Sequence, residues 1–195
     1  MNRVRLIMVL AVSVLAMGAA LLLLLDDTRR WEERGATALK QMATASVLYN
    51  EGFGAAPPNA FTLVWSNYFT PETAVLPGSD TVAADVRFFG RSANDLWAMD
   101  AEAAQALLSR SPERTGGWEC FGDFFLTPEF WQEGGGSSPD RRLILAVSIG
   151  YGNPPRRVVY SPGCSTAVVA DPGWLDEQND LRATMGFASL ELPAR

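Results

Sequence analysis

One unbroken apolar run, Leu6 to Leu25, constrains this chain more than any other feature. It is 20 residues long, with Ser13 its only hydroxyl and no charge. At about 1.5 Å per residue a helix of that length measures about 30 Å, the thickness of a bilayer's hydrocarbon core. The apolar region of a secretory leader is shorter, about 7–15 residues, and its cleavage site follows promptly. Here the small residues Ala16, Gly18, Ala19 and Ala20 lie inside the run, and Leu21 to Leu25 follow them. A cut after Ala20 would leave five leucines at the new terminus, and no cysteine is nearby for a lipoprotein-type cut. The run therefore reads as a retained anchor.

Arg3 and Arg5 precede the run, and Asp26 and Asp27 follow it. Arg29, Arg30 and Arg34 weaken that contrast, but large downstream domains translocate largely regardless of charge. The expected division is a cytoplasmic tail (1–5), a transmembrane signal-anchor helix (6–25), a juxtamembrane helix or stalk (26–51) and an exported globular domain (52–195). Such a protein belongs to the bacterial inner membrane, single-pass, with its C-terminal domain in the periplasm.

Residues 26–195 suffice for one domain with a real core. With Arg3 and Arg5 set aside, that part carries 14 basic against 22 acidic residues, a formal charge of −8. It offers no basic patch, which argues against nucleic acid as a partner. The chain has no histidine and a single lysine, Lys40. Without histidine it lacks the usual general base near neutral pH and the commonest metal ligand, so Ser-His-Asp, Cys-His and histidine-zinc chemistry are excluded within it. No cofactor motif, phosphate-binding glycine loop or nucleophile motif is present, and the chain reads as non-catalytic rather than catalytic.

The two cysteines, Cys120 and Cys164, both fall in the part expected to be exported, where an intramolecular disulfide is the leading reading. Closing that loop would remove about 4 kcal/mol of unfolded-chain entropy.

Beyond the run, Leu39, Met42, Ala43, Val47 and Leu48 recur at helical spacing, so the anchor helix is expected to continue as a stalk towards Tyr49, weakened at Gly35. The remainder predicts an α+β domain with a mainly antiparallel sheet and two or three helices. Strands are expected at 61–69, 82–89, 119–126, 143–149, 156–161, 166–170 and 186–192. Residues 143–170 read as a three-stranded meander, and helices are expected at 100–110 and 175–185. Asn-Tyr-Phe-Thr-Pro-Glu (67–72) and Phe-Phe-Leu-Thr-Pro-Glu (124–129) echo each other. The simple account is that Thr70 and Thr127 each open a helical turn with proline first; a duplicated hairpin is the alternative.

Trp118, Phe121, Phe124, Phe125, Phe130 and Trp131 crowd into 14 residues. Six aromatics are hard to bury on one strand face, so Trp118, Phe130 and Trp131 are candidate partner-binding residues, against the reading that the cluster is core. Among them, Asp123, Glu129 and Glu119 offer the best enzymatic case, because a buried carboxylate pair needs no histidine. Asp171, Asp176, Glu177 and Asp180 are oxygen ligands of the calcium type, but their spacing fits no EF-hand and suits a helix start instead.

These features favour a single-pass extracytoplasmic protein that acts as an accessory, assembly or interaction subunit of an envelope or membrane protein complex. Its partners would be the bilayer, through 6–25, and other membrane or periplasmic proteins. A carboxylate-dependent envelope hydrolase is one alternative. The other is a pilin-like or pseudopilin-like subunit, since an apolar N-terminal helix, a stalk and a sheet-rich head resemble that architecture in outline. That family carries a short basic leader ending in glycine, then glutamate at the fifth position of the apolar segment. Gly18 is here followed by Ala-Ala and five leucines, so neither has a counterpart.

Overall fold

The computed structural model describes residues 2–81, 87–88, 91–110, 114–135, 140–163 and 165–193. Helix α1 (Asn2–Phe53) runs without interruption through both the apolar run and the expected stalk. Its second half carries a buried stripe of Trp31, Ala38, Leu39, Met42, Ala43 and Ala45, the spacing that places side chains on one helix face. Gly35 does not break the helix. It lies where α1 packs against β7, and a Cβ there would sit 2.9 Å from Val158 Cγ2. Among the described residues no helix is long and apolar enough to cross a membrane, which leaves the transmembrane expectation for 6–25 unconfirmed.

The fold is α+β. Its sheet holds six antiparallel strands in simple chain order: β3 (Arg114–Thr115), β4 (Trp118–Phe121), β5 (Phe124–Leu126), β6 (Ala146–Ser148), β7 (Arg156–Ser161) and β8 (Ser165–Ala170). Two two-residue strands, β1 (Arg87–Phe88) and β2 (Arg91–Ser92), form a separate antiparallel ribbon. The expected 143–170 meander is present as β6–β8, with Val147 opposite Val159 and Val159 opposite Ala167.

Both faces of the sheet are covered, and this resolves the crowding of aromatics. Phe121, Phe124, Leu126, Ala146, Val158 and Tyr160 pack with α1 and with the 3-10 turn Pro128–Gly135. Trp118, Phe125, Val147 and Val159 pack on the other face with Trp174 and Leu190. Trp174 lies at the start of α5 (Gly173–Thr184), and Leu190 in the C-terminal segment. Alternation along each strand thus feeds two cores.

Several local expectations are corrected. Residues 61–69 do not form a strand: Ala60–Trp65 is helix α2, started by the Asn59 side chain accepting from the Thr62 N–H at 3.1 Å. That cap and burial of Ala60–Val64 override the β-propensity of Phe, Val and Trp. Residues 119–126 are not one strand but the β4–β5 hairpin. It turns at Gly122, whose φ of +58° and whose close approach to the Ala74 carbonyl, which any Cβ would strike, both demand glycine. Since 61–69 forms a helix and its cap and no strand, the Thr-Pro-Glu echo is not a duplicated hairpin; both copies open 3-10 turns, Pro71–Ala74 and Pro128–Gly135. Residues 186–192 make no strand. Helices α4 (Ala101–Leu108), capped by Asp100, and α5 fall where they were expected. Helix α3 (Ala93–Trp97) was not anticipated, and most of the 82–89 expectation lies outside the described residues.

Candidate functional site

The three residues read as partner-binding are buried. Trp118 lies under the C-terminal segment and donates its indole N–H to the Glu191 carbonyl at 2.7 Å. Phe130 packs edge-on against Tyr160, and Trp131 donates to Glu119 Oε2 at 2.7 Å. Their rings fill the two cores and offer no face to a partner, because each sheet surface has its own cover. Cys120 is exposed on β4, and the other half of the expected disulfide, Cys164, lies outside the described residues.

The three carboxylates considered for catalysis are tied into the fold. Asp123, fully buried, accepts from the Leu76 N–H (2.7 Å), Ser79 Oγ (2.8 Å) and Thr81 Oγ1 (2.6 Å), pinning the 76–81 segment to the β4–β5 turn. Glu129 pairs with the buried Arg182 guanidinium at 3.2 Å through both oxygens, joining the Pro128–Gly135 turn to α5. Glu119 accepts from the Ala60 N–H at 2.8 Å, at the first turn of α2, and from Trp131. Burial pushes the Glu119 carboxyl above its usual range, against the opposing pull of those two donors and of Arg114. All three acids are held by donors that position backbone. Asp171, from the acidic stretch, is likewise tied to Arg157 Nε (2.7 Å) and the Trp174 indole (2.8 Å).

The surface offers a different site. A cleft of about 500 Å³ lies between α1 and the segment that follows α2, lined by Thr37, Lys40, Gln41, Thr44, Ala45, Leu48 and by residues 67–70 and Thr73. On the α1 side Thr37, Gln41, Thr44 and Leu48 stand three or four residues apart, so they share a face. On the other side α2 ends in a left-handed residue, Asn67 at φ +58°. The Asn67 N–H donates to the Val64 carbonyl and the Tyr68 N–H to that of Leu63, the paired bonds of a Schellman cap. This cap swings Tyr68 to the lip of the cleft, where its ring is 36% exposed. Tyr49 braces it edge-on (centroids 6.1 Å apart) and itself stacks on Phe53 at 4.4 Å.

Sequence reasoning counted Lys40 without placing it and missed the cleft. The one available signal was the polar stripe Thr37–Gln41–Thr44 on α1, opposite the apolar stripe of Leu39 and Met42. No known protein family, characterised protein or solved structure matches this chain.

Proposed function

We propose that this protein is a membrane-anchored, extracytoplasmic subunit whose head serves as a non-catalytic accessory or interaction module of a larger membrane assembly. The observation that carries this reading is the exposure of apolar side chains along the first half of α1. Val14 is 63%, Leu15 74%, Met17 70%, Leu23 67% and Leu25 58% exposed, on a helix whose other half buries one face in the core. Apolar side chains left uncovered by their own chain at these positions call for an apolar surrounding, and a bilayer supplies one. The structural hydrogen bonds that occupy Asp123, Glu129 and Glu119 support the non-catalytic part.

A carbonate wash of membranes from cells expressing the full chain tests the anchor, and blue native electrophoresis of the detergent extract tests the assembly. The expected result is a chain that resists carbonate and migrates in a species well above its own mass. A carbonate-soluble chain would overturn the anchor, and a band at monomer mass would overturn the subunit role.

A second reading, a pilin-like subunit, draws on one specific observation: the far half of the same unbroken helix packs across an antiparallel sheet. It predicts stacking of α1 helices between copies. Cysteines introduced at Val14 and Met17 would then cross-link into a ladder of many copies, whereas an anchored accessory subunit would give no ladder.

A further inference from the structure

Three properties of the cleft beside α1 bear on what it can hold: its charge, the direction of its hydrogen bonds and its aromatic lip. Among the described residues its lining contains Lys40 and no carboxylate, in a chain with 22 acids and a net charge of −6. Lys40 forms no ion pair among the described residues, so its ammonium is available to an anion.

Three of the four threonine hydroxyl protons are already committed within the chain. Thr37 donates its hydroxyl to the Glu33 carbonyl at 2.7 Å, Thr44 donates to that of Lys40 at 2.8 Å, and Thr70 and Thr73 share one bond at 3.3 Å. What these hydroxyls retain is mainly lone pairs, which accept from a ligand. Gln41 and Asn67 add amides that both donate and accept. The lip is the braced ring of Tyr68, a flat surface suited to the C–H edge of a saturated ring. At about 500 Å³ the cleft lies within the range of small-ligand sites.

We propose that this cleft binds an acidic sugar. The sugar ring lies against Tyr68, its hydroxyls donate to the threonine oxygens, and its carboxylate pairs with Lys40. The one cation fixes the sign of the ligand's charge, and the acceptor-rich wall selects a compound rich in O–H donors over a bare anion. This inference does not depend on the anchor or on the accessory role.

The test is saturation-transfer NMR on the full chain in lauryldimethylamine oxide micelles, which carry no sugar headgroup, with digalacturonate, galactobiose and inorganic phosphate as probes. The expected result is transfer to digalacturonate with millimolar affinity and weaker transfer to galactobiose. Lys40→Gln should weaken digalacturonate about tenfold, the loss of one charge-assisted contact, and leave galactobiose unchanged. Lys40 is exposed, so that variant keeps the fold. Tyr68→Ala should abolish transfer to both sugars. No transfer to digalacturonate, an affinity unmoved by Lys40→Gln, or displacement of the sugar by equimolar phosphate would each overturn the assignment.

Discussion

Residues 13–25 and 31–46 belong to one helix, yet they use their apolar side chains in opposite ways. Val14, Leu15, Met17, Leu23 and Leu25 stand clear of the rest of the chain, whereas Trp31, Leu39 and Met42 are almost wholly buried against the sheet. The backbone does not distinguish them; the same hydrogen-bond ladder runs through both. The difference lies in the pattern. The first half is apolar all round and has no polar face to offer water. The second sets Glu33, Arg34 and Lys40 outward against one apolar stripe, which matches the single surface the sheet provides. A helix thus declares its surroundings by how its apolar residues are distributed around its axis.

The comparison is broken most severely by placing charge in the first half. Under the proposed anchor, Val14→Arg with Leu15→Arg would add about 3 kcal/mol of insertion cost per arginine near the middle of a span. The chain should move from the carbonate-resistant fraction to the soluble one, while the head's thermal midpoint holds. In the second half the reverse applies. Leu39→Ala should cost about 3 kcal/mol of head stability in chemical denaturation, the usual price of a fully buried leucine, and leave membrane partitioning unchanged. Leu15→Ala, at an exposed position, should leave head stability within about 0.5 kcal/mol.

Gly35→Ala sharpens the comparison. Helix propensity alone would favour alanine by about 1 kcal/mol. The added Cβ meets Val158 at 2.9 Å, however, and crowding of this kind costs about 1–3 kcal/mol. Net destabilisation is expected; a stabilised variant would mean that α1 and β7 are less tightly apposed. The smallest effect concerns pH. Because burial raises the Glu119 carboxyl, the folded state binds its proton more tightly than the unfolded chain does. That contribution is full below the ordinary carboxyl pKa and is lost as pH rises through the raised value. Glu119→Gln should flatten the decline in stability over that window, measured as denaturation midpoint against pH.

What the sequence revealed was mostly what is decided locally. Asp100 caps α4, the segment Arg156–Ser161 with Val158, Val159 and Tyr160 at its centre forms β7, and the 143–170 meander forms from its own turns. What it concealed was decided at a distance. Residues 186–192 resemble a strand in composition, but their backbone is held by side chains instead of a ladder. Asn179 grips both the N–H and the carbonyl of Leu190, and Arg182 donates to the Ala188 carbonyl. Covering both sheet faces takes elements from opposite ends of the sequence, α1 and α5, so the aromatic cluster looked too large for one strand. The cleft was hidden for the same reason, since its two walls are separate in sequence and only the cap after α2 brings Tyr68 to meet α1.

The unbroken course of α1 carries a mechanical consequence. Between Leu25 and Trp31 there is no glycine, proline or loop to absorb a twist, so the head is keyed in angle to the apolar rod. Each residue of an α-helix turns about 100° and advances about 1.5 Å. Inserting one alanine after Asp27 would therefore swing the whole sheet about 100° around the rod, like a flag rotated on its pole, whereas inserting seven would bring it nearly back into phase. Any neighbour that grips the rod thereby dictates which side of the head points towards it.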